Sequence, residues 1–570
     1  MLGEREKQQQ IELWKKQVLH RVESDEVNSA YFTKLIDLYW REQVGDERHL
    51  LKLVTSKESY HPSNDKNKFT LVYPTAVMTE EMLNCFPYVL YSSLLEKKEN
   101  KKNKISLWLR PMQAGVGSTI ERETHLHKYD EQRASVGSKG TDLFIPHPDG
   151  DGVVSLAEMQ LLRAISLAER NIYERIYFQD VVGPETLSAV GEIWQKKNTK
   201  YQTSYKEIFS KTDELVHLSR PVFQHYFPTV SLEGDLSFER MAPGGHGLFL
   251  FDLFYSIIHR EIPLLDDEKN NNIIIVLSNG EDLTAFPDET ITNYMIEEEI
   301  PVVMLTTDKT VIDTKGGQLA LFEEKNRSYL GILEKAQADM SVNGEFFGEL
   351  GLRPGDSRSL FNTNTILVNY ALLANKLDDF VDRFGLNGLW ENITPQLIKN
   401  KKGDFFQLEM AMGSVLLDLD KVWREHFEEH LVTIINIDST FRSQFFAPIK
   451  KAFDFYHLYY SDDYIFDKND FRPINENRKD FLQVSFKSPF YDDVENTLQA
   501  FHQASVKKLV SLSVEKGEVN FSHLKLEGRL KVTSLFPGVV FLKEKLEGPE
   551  VLKNLSIFID EEGKVSLESL

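Results

Sequence analysis

The chain is short of cysteine: Cys85 stands alone among 570 residues, so no internal disulfide can form. Such scarcity suits a reducing compartment, and Cys85 reads as a small buried apolar residue rather than a nucleophile, because a reactive thiol needs an electropositive setting. Long apolar runs are missing too. None approaches the ~20 residues that a membrane-crossing helix requires, and the polar residues 1–10 are followed by no apolar segment of a secretory leader. A soluble, cytoplasmic protein without a membrane partner is expected. Positive charge is also in deficit, with 66 Lys and Arg against 88 Asp and Glu for a net charge of −22. That balance opposes binding to nucleic acid, whose phosphates would be repelled, but leaves room for a local basic pocket for a small polyanion. No repeat is visible. No Gly-x-Ser-x-Gly elbow or His-Glu-x-x-His pair occurs, which removes the support for a serine hydrolase or a zincin.

What is present is an ordinary globular composition, 41% hydrophobic and 11% aromatic, in a chain long enough for two or three domains. Ile11, Trp14, Val18 and Val22 recur at helical spacing, so residues 1–104 read as a helical N-terminal region. It closes on the basic polar run 96–104, a solvated boundary loop. Residues 105–462 alternate apolar strands with helices. Runs 105–109, 273–277 and 302–305 read as strands, and 156–167 and 415–427 as helices. The expected fold is α/β, a mostly parallel Rossmann-like core with helices on both faces. Residues 463–570 carry short alternating segments such as 524–532 and read as a small β-rich C-terminal domain, whose open edges make it a candidate surface for a homo-oligomer.

Several short motifs follow one another along the core. Gln113-Ala114-Gly115-Val116-Gly117-Ser118 comes directly after a strand, where glycines permit a turn whose N–H groups face an anion. Its spacing matches neither the dinucleotide fingerprint nor the Walker loop. Met241-Ala242-Pro243-Gly244-Gly245-His246-Gly247 fixes a backbone able to approach a flat base, with His246 placed to donate to a phosphate oxygen. The amide of Gln224 can both donate to and accept from a base edge. Glu281 and Asp282 lie just past the 273–277 strand, on the ligand-binding side of a parallel sheet, where a carboxylate can hold Mg²⁺ against phosphates; Asp308 and Asp313 are weaker candidates. Asn362 and Asn364, expected after a turn, and Glu409 can hydrogen-bond sugar hydroxyls, and Lys450 offers a positive charge to a phosphate. His125 and His127 have no third ligand at metal spacing, and residues 121–133 read as a charged surface loop.

In this order the motifs resemble the UTP–sugar-1-phosphate uridylyltransferases, most closely the eukaryotic-type UDP-glucose pyrophosphorylases, over roughly residues 105–460. The family's Asn-Gly-Gly-Leu-Gly-Thr loop is similar to residues 113–118, its Pro-Lys motif to Ser138-Lys139, and its Pro-Pro-Gly-His-Gly turn to residues 243–247. Its metal segment resembles 278–283, where Glu281 stands at the family's Asp position. Asp313-Thr314-Lys315-Gly316-Gly317, Leu333-Glu334-Lys335-Ala336-Gln337, Phe361-Asn362-Thr363-Asn364, Gln407-Leu408-Glu409 and Pro448-Ile449-Lys450 continue the series. The resemblance implies UTP and a sugar-1-phosphate as partners, Mg²⁺ as cofactor and a C-terminal left-handed β-helix. It further implies catalytic roles for Lys139, Lys450 and Gly117, nucleotide contacts at Ala114, Gly115, Gln224, Ala242, Pro243 and Gly244, and substrate contacts at His246, Asn279, Gly317, Asn362, Asn364 and Glu409. The metal falls to Glu281 or Asp282. An N-acetylhexosamine or broad UDP-sugar pyrophosphorylase, and a nucleotide-sugar binder without turnover, are the competing expectations.

Overall fold

The computed structural model describes residues 86–96, 103–115, 117, 120–133, 135–148, 152–224, 226–232, 236–258, 272–310, 312–313, 316–324, 327–334, 360–385, 388, 392–393, 397–475, 482–546 and 550–570. The expected N-terminal helix, Cys85 and most of the basic boundary run lie outside them, as do Val116, Ser118, Thr314, Lys315 and residues 335–337. The chain divides into two compact units, each assembled from separate segments. One contains 220–277, 287–438 and the residues up to Arg110; the other contains 111–219, 278–286 and 439–570.

In the first unit, the aliphatic runs seen in the sequence become strands with both faces buried. Ile273–Asn279 and Val302–Asp308 are buried at all but their last residue, as expected of strands covered by helices on two sides. Tyr88–Leu90 and Val302–Asp308 pair in parallel with Val432–Ile437. Between Val302–Asp308 and Ile273–Asn279 lies Leu360–Asn369, which runs antiparallel to both. The architecture is α/β with a mostly parallel central sheet, into which this reversed strand is inserted. Helix Gly247–Ile258 packs on Tyr370–Phe384 and Met412–Phe427. A four-stranded antiparallel sheet, in the order Leu236–Pro243, Tyr226–Ser231, Phe405–Met410, Leu397–Lys402, completes the unit.

The second unit is organised on helix Leu156–Glu169, buried at nearly every position and capped by Ser155, whose side chain accepts from Glu158 N. Residues 121–133 are not the exposed loop expected from their charge. They form helix Glu123–Tyr129, with His125 fully buried. Both His125 ring nitrogens are engaged: Nδ1 lies 2.6 Å from Glu495 Oε1, and Nε2 accepts from Phe144 N at 3.1 Å. Of the charged residues that suggested a loop, Glu121, Glu123, Lys128 and Glu131 are exposed, whereas Arg122 and Arg133 are buried. Towards the C-terminus, Gln483–Phe486, Ser505–Lys516, Lys525–Ser534 and Val551–Ile559 pair in parallel, and Val565–Ser569 closes the sheet antiparallel. Among the described residues no helix is long and apolar enough to cross a membrane.

Candidate active site

In the second unit the glycine loop, the Lys139 turn, the 278–286 segment and Pro448–Lys450 converge. Gly117 has φ +65°, and a Cβ there would sit 2.9 Å from Lys139 Cε; only glycine lets the loop lie against that lysine. Nothing stands within 4 Å of a Cβ at Gly115, and Ala114 is buried at the loop's entry. Lys139 opens a short helical turn capped by Ser138. Its Nζ donates to Ile449 O at 2.6 Å and lies 3.3 Å from Glu281 Oε1. Burial pushes the Lys139 ammonium below its ordinary range, and Glu281 opposes the shift. For Glu281, burial works upward, but Lys139 and then Lys450 outweigh it and hold the carboxylate below its usual range. Arg122, buried, adds a third cation to the field of Glu281.

The adjacent carboxylate has a different task. Asp282 Oδ1 accepts from Thr284 N at 2.9 Å and Thr284 Oγ1 at 2.6 Å, and Oδ2 accepts from Ala447 N at 3.2 Å. Burial raises its pKa to about 6 against an ordinary 3.8. Asp282 therefore ties the 278–286 segment to the residues leading into Pro448–Lys450. Asn279, half-buried, ends the strand, and its carbonyl accepts from Asp282 N at 3.3 Å. Lys450 enters helix Ala452–Tyr459, whose Asp454 accepts from Lys450 N at 2.8 Å and Lys451 N at 2.7 Å.

Sequence reasoning missed the side chains that brace this cluster. Arg122 donates to Gly117 O at 3.0 Å, Gly137 O at 2.6 Å and Asp142 Oδ2 at 3.0 Å. Arg133 donates to Asp142 Oδ1 at 2.6 Å. Gln160, in the middle of the buried helix, donates to Gly280 O at 2.7 Å, and Arg163 donates to Leu283 O at 2.5 Å. The only signal for the last two is their spacing: polar residues three apart on a largely apolar helix.

A second cluster forms in the first unit. Gln224 precedes strand Tyr226–Ser231, whose Tyr226 pairs with Pro243. Its Oε1 is shielded from solvent and has no hydrogen-bond partner among the described residues. Gln407 Nε2 donates to Pro243 O at 2.8 Å, and Met410 N donates to Gly244 O at 2.9 Å. Pro243 and buried Gly244 are thus fixed by the strand that also carries Glu409, and buried Ala242 pairs with Phe227. Gly245 has φ +89°, and a Cβ there would meet Met410 N and O at 2.6 Å. His246 Nδ1 accepts from Met412 N at 2.9 Å, which leaves the neutral ring's proton on Nε2. Burial raises the Glu409 carboxyl, opposed by Lys402 and by a hydrogen bond from Asn400 Nδ2 at 3.3 Å.

Asn362 and Asn364 do not follow a turn. They lie inside strand Leu360–Asn369 at a register shift between Leu305↔Thr365 and Thr306↔Asn362. This bulge puts Asn364 at φ +59° and lets Asn362 Nδ2 donate to Asn364 Oδ1 at 3.0 Å. Gly413, at the start of helix Met412–Phe427, leaves room for Asn362: a Cβ there would stand 2.8 Å from Nδ2. Asn362, His246 and Glu409 thereby converge on residues 410–413. Gly317 is buried one residue before Gln318, which pairs with Phe361. Asp308 and Asp313 are engaged locally, Asp308 by Asn436 Nδ2 at 3.0 Å and Asp313 by Thr310 N at 2.7 Å.

Residues 198–526 match the profile of the UTP–glucose-1-phosphate uridylyltransferase family. The chain belongs to this family. The matched span includes Gln224, His246, Glu281, Asn362, Glu409 and Lys450, while the glycine loop and Lys139 precede it. The uridylyltransferase of Saccharomyces cerevisiae is 28% identical over 208 residues, 35% of this chain and 36% of that protein; this match spans about a third of the relative's length. The Musa acuminata uridylyltransferase is 26% identical over 368 residues, 62% of this chain and 69% of the relative. Among solved structures, the UDP-glucose pyrophosphorylase of Leishmania major superposes with a TM-score of 0.64 at 17% identity, covering 96% of this chain and 99% of that one. A UDP-glucose phosphorylase of Trypanosoma brucei gives 0.59 at 17% identity, over 85% and 92%. At such identity the likeness shows the fold.

Proposed function

We propose that this protein transfers a uridylyl group from UTP to a sugar-1-phosphate, glucose-1-phosphate first, giving the UDP-sugar and pyrophosphate. One observation carries this. In a chain of net charge −22, Lys139 and Lys450 both act on the single carboxylate of Glu281, with Arg122, paired to Asp142, also within reach of its charge, a local excess of positive charge suited to phosphates. In the reaction a sugar-phosphate oxygen attacks the α-phosphorus, and the bond to the bridging oxygen of pyrophosphate breaks. Both substrates are anions, so charge neutralisation and alignment supply the catalysis. Lys139 and Lys450 neutralise phosphate charge, and the Gly115 and Gly117 amides face the triphosphate. The unpartnered Gln224 Oε1 accepts from the uracil imide N–H while the Ala242–Gly244 backbone lines the base. His246 Nε2 donates to the sugar phosphate, and Asn362, Asn364 and Glu409 hold hydroxyls.

Among the described residues no three His, Cys, Asp or Glu side chains cluster to cage a metal, but Mg²⁺ at nucleotide sites takes one or two carboxylates and fills its shell from phosphates and water. Glu281 fits that requirement and Asp282, with its oxygens already engaged, does not. Glu281 would hold Mg²⁺ there, and the ion would supply positive charge that stabilises the pyrophosphate leaving group. We also read the parallel C-terminal ladders as coils of a β-helix whose edge strand Val565–Ser569 joins a second copy, which light scattering showing a monomer would refute. A cytoplasmic setting accords with the single cysteine, and a tagged chain found elsewhere would end that assignment.

The decisive assay is pyrophosphate release from UTP with glucose-, galactose- and N-acetylglucosamine-1-phosphate, with and without Mg²⁺. Glucose-1-phosphate should turn over fastest and only with the metal. Lys450→Ala should lower kcat by roughly 10²-fold while weakening UTP binding far less. Binding of UTP without release from any sugar phosphate sinks the proposal.

A further inference from the structure

We infer that Gln113, which sequence reasoning treated only as the first residue of the glycine loop, is the positioning residue that sets Lys139 and Glu281 in register; the inference rests on the uridylyl-transfer reading. Gln113 is buried, 2% exposed, so it acts through its neighbours rather than on substrate. Its backbone is fixed, with Gln113 N donating to Val181 O at 2.8 Å. Its side chain then bridges two segments. Nε2 donates to Gly280 O at 3.1 Å, the residue before Glu281. Oε1 accepts from Ser138 Oγ at 2.8 Å, the residue before Lys139. The amide orientation is dictated by its partners, since a carbonyl can only accept.

Both segments are shaped around this amide. A Cβ on Gly140 would stand 2.1 Å from Gln113 Oε1, and one on Gly280 would stand 2.4 Å from Gln113 Cδ. The two glycines leave the space the amide fills, one behind Lys139 and one ahead of Glu281. Gly280 N also donates to Met112 O at 3.1 Å, so the 278–286 segment is hung from residues 112 and 113 together. One glutamine thus links the segment that carries Lys139 to the segment that carries Glu281, whose Nζ and Oε1 lie 3.3 Å apart. Gln160 makes only half of this arrangement: it donates to the same Gly280 carbonyl and does not bond Ser138.

Gln113→Glu separates positioning from folding. It keeps the shape, and Gly280 O retains its bond from Gln160, so the chain should fold. A carboxylate facing Gly280 O cannot donate, whereas its protonated form can, and burial raises the pKa of such a group. At pH 8 we expect kcat about tenfold or more below wild type with the KM for UTP changed by less than about threefold. The deficit should shrink as the pH is lowered to about 6. Ser138→Ala, which removes the other link, should lower kcat without that recovery at low pH, and it serves if Gln113→Glu does not fold. A Gln113→Glu rate equal to wild type, or a deficit that is constant with pH and tracks the folded fraction, overturns the inference; so does a Ser138→Ala enzyme with unchanged kcat. A wild-type protein without turnover overturns the uridylyl-transfer reading instead, and takes this inference with it.

Discussion

Two neighbouring carboxylates, Glu281 and Asp282, show how environment divides labour between like residues. Each is withdrawn from water, which favours the neutral form. Beside Glu281 stand Lys139 and Lys450, which overcome that penalty and keep it ionised. Asp282 meets only neutral donors, and its pKa rises to about 6. In this case the folded state holds its proton more tightly than the unfolded chain, whose value is the ordinary 3.8. The stabilisation is complete below the unfolded value and is lost as pH rises through about 6. A difference of about two pH units corresponds to roughly 3 kcal/mol. Asp282→Asn, which cannot ionise, should flatten the stability profile between about pH 4 and 7. Denaturant unfolding of the two proteins at several pH values measures this, and curves that stay parallel across that range would contradict it.

At the scale of elements, strand Leu360–Asn369 carries the most instructive local geometry. Its bulge needs a residue that tolerates φ +59° at position 364, which asparagine and glycine do and β-branched residues do not. Asn364→Val should therefore destabilise the protein by about 1–2 kcal/mol. Asn364→Gly should keep the fold, lose the Asn362–Asn364 hydrogen bond and raise the KM for sugar-1-phosphate by about tenfold. Thermal melts with steady-state kinetics separate the two effects; a glycine variant with unchanged KM would remove Asn364 from the sugar site. This strand also marks where the sequence ceases to be legible. The runs 273–277 and 302–305 declared themselves as buried strands through their aliphatic composition, and the glycine motifs declared the loops, because both signals are local. The reversed direction of Leu360–Asn369 depends on neighbours at 302–308 and 273–279, and periodicity does not encode direction. His125 was misplaced for the same reason, since the Glu495 that accounts for its burial lies 370 residues away. Gln113 and Arg122 gave no signal, because bracing side chains are defined by the backbone groups they reach.

At the scale of the whole molecule, the C-terminal strands are joined to the chemistry through a shared core. Helix Ala452–Tyr459 begins at the residue after Lys451, and its Asp454 holds the backbone of Lys450. The same helix contributes Phe453 and Tyr456 to one apolar cluster with Phe501, Leu512, Phe521, Val532 and Ile557. Phe501 is fully buried at its centre, with ring centroids 5.0 Å from Phe453, 5.2 Å from Tyr456 and 5.2 Å from Phe521. Phe501→Ala should cost about 3–5 kcal/mol, the transfer term plus the cavity left among rings that cannot collapse fully. Exposed Leu567, by contrast, should tolerate serine within about 0.5 kcal/mol. Urea unfolding of both variants gives the comparison. A chain ending before residue 483 would leave Phe453 and Tyr456 uncovered beside Lys450, and is expected to be insoluble and without pyrophosphate release. A soluble fragment of that length with wild-type turnover would show that the C-terminal strands are an appendage, and that Lys450 is held by Asp454 and its neighbours alone.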